Sequence, residues 1–115
     1  MIKNINLHDA ILIDIDFCSL YKGTIKIVVE SYLDQINDKN RSKIELLFSS
    51  IKKIDISLDI KELLENKSAG NIDIIKKSNI SYLIVLYGGY IIVETNDLEI
   101  KGHRGQGFTF NSFLL

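Results

Sequence analysis

The chain has no proline among its 115 residues. Average usage of about 5% would place roughly six in a chain of this length. No turn can rest on a cis X–Pro bond, and no edge strand can be guarded by proline. Cys18 is the only cysteine, which excludes an intramolecular disulfide and a thiolate zinc cluster. A single thiol also fits a reducing compartment. The only histidines are His8 and His103, too far apart in sequence to suggest a metal site. No apolar run approaches the roughly 20 residues that a helical membrane span needs. The first residues show no basic stretch followed by an apolar one, so no signal peptide is expected. Cytoplasmic localisation is the expectation, and the Asn-x-Ser triplets at Asn40, Asn66 and Asn79 are then chance matches. A net charge of −1 provides no general attraction to nucleic acid or anionic membrane, and neither is expected as a partner.

Isoleucine dominates the apolar residues, and alanine is scarce. Isoleucine is β-branched and favours strands over helices. Hydrophobic content of 46% with 25% charged residues is that of an ordinary globular domain. A chain of this size buries about 65% of its unfolded surface and can fold without staples. A single β-rich domain over residues 1–115 is expected, with no repeat and no dividing linker.

The strongest local signal runs from Tyr82 to Glu94, where two β-prone segments meet at Gly88-Gly89. Glycine tolerates the positive φ that two-residue hairpin turns demand. A turn at the glycine pair sets Tyr87 against Tyr90, Val85 against Ile92 and Leu83 against Glu94. Leu86 with Ile91, Ile84 with Val93 and Tyr82 with Thr95 then share the other face. Both faces are apolar near the turn and need covering.

Period-two alternation predicts further strands. Ile11, Ile13, Ile15 and Phe17 point one way, with Asp14 and Asp16 in solvent. Thr24–Leu33 is expected to pair with that strand as a hairpin. Asp34–Ser42 is a polar loop. Lys43–Ser49 and Ile51–Leu58 read as one bent strand, or as two joined near Ser49-Ser50. Asp59 begins the one convincing helix, around residues 59–67, with Glu62 placed for a capping box. Its apolar stripe is Ile60, Leu63 and Leu64. Ile72–Lys76 is a short strand, and Asp97–Lys101 extends the hairpin or starts another strand. Residues 102–115 form a glycine-rich stretch and an apolar tail that packs back or binds a partner. The expected fold is mainly β, of the α+β class. It is a curved antiparallel sheet, a small sandwich or an open barrel with one short helix. The helix stripe is expected to cover one face of the hairpin and the Phe108–Leu115 tail the other.

No catalytic constellation emerges, and no catalytic, metal or cofactor-binding residue is assigned. His8 and Asp9 are adjacent, and neighbours on an extended chain point to opposite faces. Hydrogen bonds to backbone that order the strand's start explain them better than acid–base work. Gly102, Gly105 and Gly107 do not form a phosphate loop, because no helix follows them. Cys18 reads as a buried structural thiol rather than a nucleophile. Asp14 with Asp16, and Asp55 with Asp59, read as solvated carboxylates before they read as a glycosidase pair. Residues 55–65 nevertheless carry Asp55, Asp59, Glu62 and Glu65 against Lys61 alone, a bias suited to a basic partner protein. His103 and Arg104 add a loop able to contact an anion. These six residues, Asp55, Asp59, Glu62, Glu65, His103 and Arg104, are the candidate partner-binding set.

Leu7-His8-Asp9-Ala10, followed by an Ile-rich strand, a turn and a second strand, resembles a group of small bacterial proteins opening with Leu-His-Asp-Ala/Ser. Asn66-Lys67-Ser68-Ala69-Gly70-Asn71-Ile72 resembles a second signature of that group. The similarity of layout spans residues 5–101 and leaves the tail outside it. Some members resemble immunity proteins encoded beside bacterial toxins, including contact-dependent growth inhibition systems. The resemblance implies a cytoplasmic, non-enzymatic protein that binds and neutralises a cognate toxin. The alternatives are a small enzyme or ligand-binding domain with a pocket between sheet and helix, and a structural homo-oligomer such as a homodimer.

Overall fold

The computed structural model describes residues 5–32, 38–103 and 108–110. The strands are β1 (Ile11–Asp16), β2 (Ile25–Ser31), β3 (Ser42–Ser49), β4 (Lys53–Leu58), β5 (Ile72–Lys77), β6 (Tyr82–Leu86), β7 (Gly89–Glu94), β8 (Asp97–His103) and β9 (Phe108–Phe110). One short α-helix, α1 (Ile60–Glu65), lies between β4 and β5. The strands form two sheets, ordered β1-β2-β3-β8-β9 and β4-β7-β6-β5. All pairings between neighbours are antiparallel. The expected mainly-β fold with one short helix is observed, and its form is a sandwich.

Alternation along the strands explains the core. Ile25, Ile27 and Val29 of β2 face inward with Ile44, Leu46 and Phe48 of β3 and Ile100 of β8. Ile72, Ile75, Tyr82, Ile84, Leu86, Ile91 and Val93 meet them from the other sheet. Burying each such side chain contributes about 1.5–3 kcal/mol. Phe48 and Tyr82 meet across the sheets edge to face, with ring centroids 5.5 Å apart and planes at 64°. Such a pair adds about 0.5–1.5 kcal/mol beyond its buried area. The outer face of the five-stranded sheet is largely polar, with Lys26 bridging to Glu45 at 3.3 Å and to Asp16 at 4.0 Å.

The β3–β4 and β7–β8 connections both carry the chain from one sheet to the other. Ser50 takes a φ of 52° at the first crossing, which breaks the run into two strands. At the second, the buried Thr95 hydroxyl donates to the Ser49 carbonyl and accepts from the Asp97 N–H at 3.1 Å. The amide of Lys52 donates to the Glu94 carbonyl at 2.9 Å. Asp97–His103 is therefore a separate strand, in the opposite sheet.

Four local expectations are corrected. The β6–β7 hairpin pairs Leu86 with Gly89, Val85 with Tyr90 and Leu83 with Ile92, so the turn is Tyr87-Gly88. The register differs by two residues, which leaves every side chain on its predicted face. Within the hairpin only Gly89 has a positive φ, at 151°. Glycine is demanded there by close approach: a Cβ would lie 2.0 Å from the Ser57 carbonyl oxygen.

In β1 a bulge between Leu12 and Asp14 interrupts the alternation. Leu12 and Ile15 pack on the core, while Ile13 is 46% exposed and Phe17 44%. Of the helix stripe, Leu63 alone reaches the hairpin, at Gly88, while Ile60 is 59% exposed and Leu64 82%. The tail likewise begins as β9 at the edge of the other sheet, where Phe110 pairs with Ile100. The remainder of the tail, residues 111–115, lies outside the described residues.

Candidate functional site

The three sequence features singled out above meet at one end of the sandwich. Leu7 and Ala10 are fully buried, and the Ala10 amide donates to the Leu7 carbonyl at 3.0 Å. They thus close a tight turn with His8 and Asp9 at its exposed tip. Asp9 has a φ of 65°, which aspartate tolerates better than most residues. The amide of Asp9 donates to the Ile72 carbonyl at 2.8 Å, and the Ile72 amide returns a bond to Ala10 at 2.8 Å.

Asn66 caps the following 3-10 turn, Lys67–Gly70, by accepting from the Ser68 amide at 3.0 Å. Ala69 is buried, and its carbonyl accepts from the Gly88 amide at 2.8 Å. A Cβ on Gly88 would lie 3.1 Å from the Ala69 methyl and 3.3 Å from Leu63. The chain's only alanines, Ala10 and Ala69, each sit in one of the two signatures. Their small side chains allow the backbones to approach, so both signatures are accounted for by packing.

His8 and Asp9 do come together, contrary to the extended-chain expectation, because Asp9 is not extended. His8 Nε2 lies 3.6 Å from Asp9 Oδ2, and both side chains are more than half exposed. His8 Nδ1 donates to the Asp73 carbonyl at 3.0 Å, which holds the ring against β5. This end borders a groove of about 610 Å³ along β5, lined by Asn6, His8 and residues 72–77. Among the described residues, no cluster of three or more His, Cys, Asp and Glu has the geometry to hold a metal ion.

A second groove, of about 430 Å³, lies between β1 and α1. Residues 11–15 form one wall, Ile60, Leu63 and Leu64 the other, and Gly70 also lines it. β1 is an edge strand, and among the described residues its outer edge carries one bridge, Ile11 to Asn71. The pocket between sheet and helix that the sequence allowed is thus present, as an open apolar groove without a histidine.

The candidate carboxylates follow one continuous path. Asp55 is exposed on β4, an edge strand, and Asp59, Glu62 and Glu65 are exposed on and before α1. Asp59 Oδ1 accepts from the Glu62 amide at 3.0 Å as helix cap. Glu62 does not close the reciprocal half of a capping box; its Oε1 accepts from the Asn66 side chain at 2.9 Å. Among the described residues, none of the four is ion-paired within 4.0 Å. His103 belongs to β8 in the other sheet, and Arg104 lies outside the described residues. His103 is therefore not on the element that carries the carboxylates.

Cys18, expected to be buried, is exposed, because it follows the end of β1, and it forms a local pair with Asp16. Asp16 accepts from the Cys18 amide at 2.8 Å, and this bond holds its carboxyl below the usual range. The hydrogen bond from the Cys18 thiol to Asp16, followed by the carboxylate's charge, raises the thiol pKa.

Sequence reasoning missed Ile13, Ile60 and Leu64 as surface residues. Their periodicity is that of core residues, and only the six-residue length of α1 hinted that the helix packs little. Among the described residues, no helix is long and apolar enough to cross a membrane. Compared with protein-family models, curated proteins and solved structures, the chain matches none.

Proposed function

We propose that this chain acts as an immunity protein, which binds a cognate bacterial toxin and neutralises it through protein–protein contact. The observation that carries this reading is the surface around α1. There Ile60 and Leu64 are left in solvent beside Asp59, Glu62 and Glu65, whose carboxylates have no ion-pair partner within 4.0 Å among the described residues. Exposed apolar side chains rimmed by charge are a usual mark of a protein-binding surface. Charge of one sign selects a partner of the other and speeds its encounter. A basic toxin such as a nuclease suits this surface. The resemblance carried by Leu7–Ala10 and Asn66–Ile72 supports the same reading, although packing alone explains both segments. Co-expression with the toxin encoded by the neighbouring gene is the test. Protection of growth and a co-purifying complex are expected; neither protection nor complex would end the proposal.

One observation favours a second reading, the structural homo-oligomer. The outer face of the four-stranded sheet carries Ile74 at 39% exposure, with half-buried Leu83, Val85, Tyr90 and Ile92 in neighbouring registers. An apolar outer sheet face suits a second copy. A monomeric mass in solution across the working concentration range would count against it.

A further inference from the structure

From the β1–α1 groove we infer that the partner inserts an extended segment there, with apolar side chains at alternate positions and Lys or Arg at its flanks. This rests on the protein-binding reading above and specifies which part of the partner is held. Three features set the occupant's chemistry.

The first is the wall made by β1. Five consecutive residues, 11–15, line the groove, so the strand's edge borders it as well as its side chains. β1 is last in its sheet, and beyond the Ile11–Asn71 bridge its outer edge has no strand beside it among the described residues. An unpaired edge offers N–H and C=O groups to an incoming strand. The second is the opposite wall, where Ile60, Leu63 and Leu64 recur at the i, i+3, i+4 spacing of one helix face. Together with Ile13, they provide apolar contact for side chains that alternate along an extended chain. The third is charge. Asp14 lines the groove, and residues 59–65, which form its helical wall, carry Asp59, Glu62 and Glu65 against Lys61 alone. A basic flank is attracted to this rim and an acidic one is repelled.

The probe is a labelled peptide, Lys-Lys-Leu-Thr-Ile-Thr-Val-Lys-Lys, titrated into the full chain with backbone amide resonances followed by NMR. The control peptide replaces every lysine with glutamate. Saturable shifts at Ile13–Asp16 and Ile60–Leu64 are expected with the basic peptide alone, weakening as salt is raised. Leu64→Lys changes an exposed position and leaves the fold intact, yet is expected to weaken binding by about tenfold or more. Asp14→Asn, Asp59→Asn and Glu65→Gln combined remove charge, while the asparagine introduced in place of Asp59 still caps the helix. They are expected to lower affinity and flatten the salt dependence. Four results would overturn the inference: no saturable shift, equal binding of both peptides, shifts centred on the outer face of the four-stranded sheet, or shifts that track self-association of the chain. A toxin complex that forms undiminished with Leu64→Lys would remove the groove and leave the immunity reading standing. Absence of any toxin complex, with peptide binding intact, would do the reverse.

Discussion

At the residue scale, glycine at position 89 is set by distance. The Ser57 carbonyl oxygen would lie 2.0 Å from a Cβ at that position, and φ is 151°. Both ends of that clash are backbone, so the strand pair itself must shift. Gly89→Ala is expected to cost about 3 kcal/mol or more in denaturant unfolding. Gly88→Ala meets the Ala69 methyl at 3.1 Å and is expected to cost about 1–3 kcal/mol. Equal losses at the two positions would contradict this ranking. Chemistry at Cys18 gives a second residue-scale expectation. The Asp16 carboxylate raises the thiol pKa, so less thiolate is present at neutral pH. Alkylation of Cys18 is expected to be slower than that of a free cysteine, and Asp16→Asn to accelerate it several-fold. The linked effect on stability has a definite sign. Asp16 has a lowered folded pKa, so its contribution is present above the ordinary carboxylate value and is lost as pH falls through the lowered one. Tyr82 has the opposite sense. Burial pushes its phenol up, so phenolate absorbance is expected to appear above the usual tyrosine range. Stability is lost there as pH rises.

At the element scale, α1 is held by its ends and by the chain on either side. Its cap is Asp59, and its Leu63 reaches the packed junction of Gly70 and Gly88. Asp59→Ala is expected to cost about 1 kcal/mol, whereas Leu64→Ala is expected to fall within about 0.5 kcal/mol of wild type. Thermal or denaturant melts of the two variants distinguish an exposed stripe from a buried one; a loss of several kcal/mol at Leu64 would show that the stripe is covered. Elements whose signal is local were legible in sequence: the alternating strands, the Asp59 cap and the hairpin between Tyr82 and Glu94. What tertiary contact decides was not. The turn at Tyr87-Gly88 follows from the approach of Ser57 and Ala69, and the sequence alone favoured the glycine pair. The bulge between Leu12 and Asp14 exchanges Leu12 for Ile11 at the core, and Ile11, Leu12 and Ile13 are equally apolar in sequence. The acidic path from Asp55 to Glu65 was readable because it is continuous in sequence. A pocket between sheet and helix was allowed, but the residues that line it were not legible, because its two walls are about fifty residues apart along the chain.

At the scale of the whole molecule, two sheets share one core, and both crossings are fixed at the Ser49–Thr95 corner. The two signature segments close the end where β1 meets β5. Among the described residues, that division leaves α1 and the outer edge of β1 as a surface on which Ile13, Ile60 and Leu64 stay exposed. The immunity proposal takes this surface to be completed by another protein. The most direct measurement is the affinity of the purified chain for the protein encoded by the neighbouring gene, which the proposal takes to be its toxin, by titration calorimetry at low and high salt. The account predicts nanomolar association that weakens with salt, and a marked loss with Asp59→Asn, Glu62→Gln and Glu65→Gln combined. No binding at either salt concentration, together with no protection of toxin-expressing cells, would contradict it.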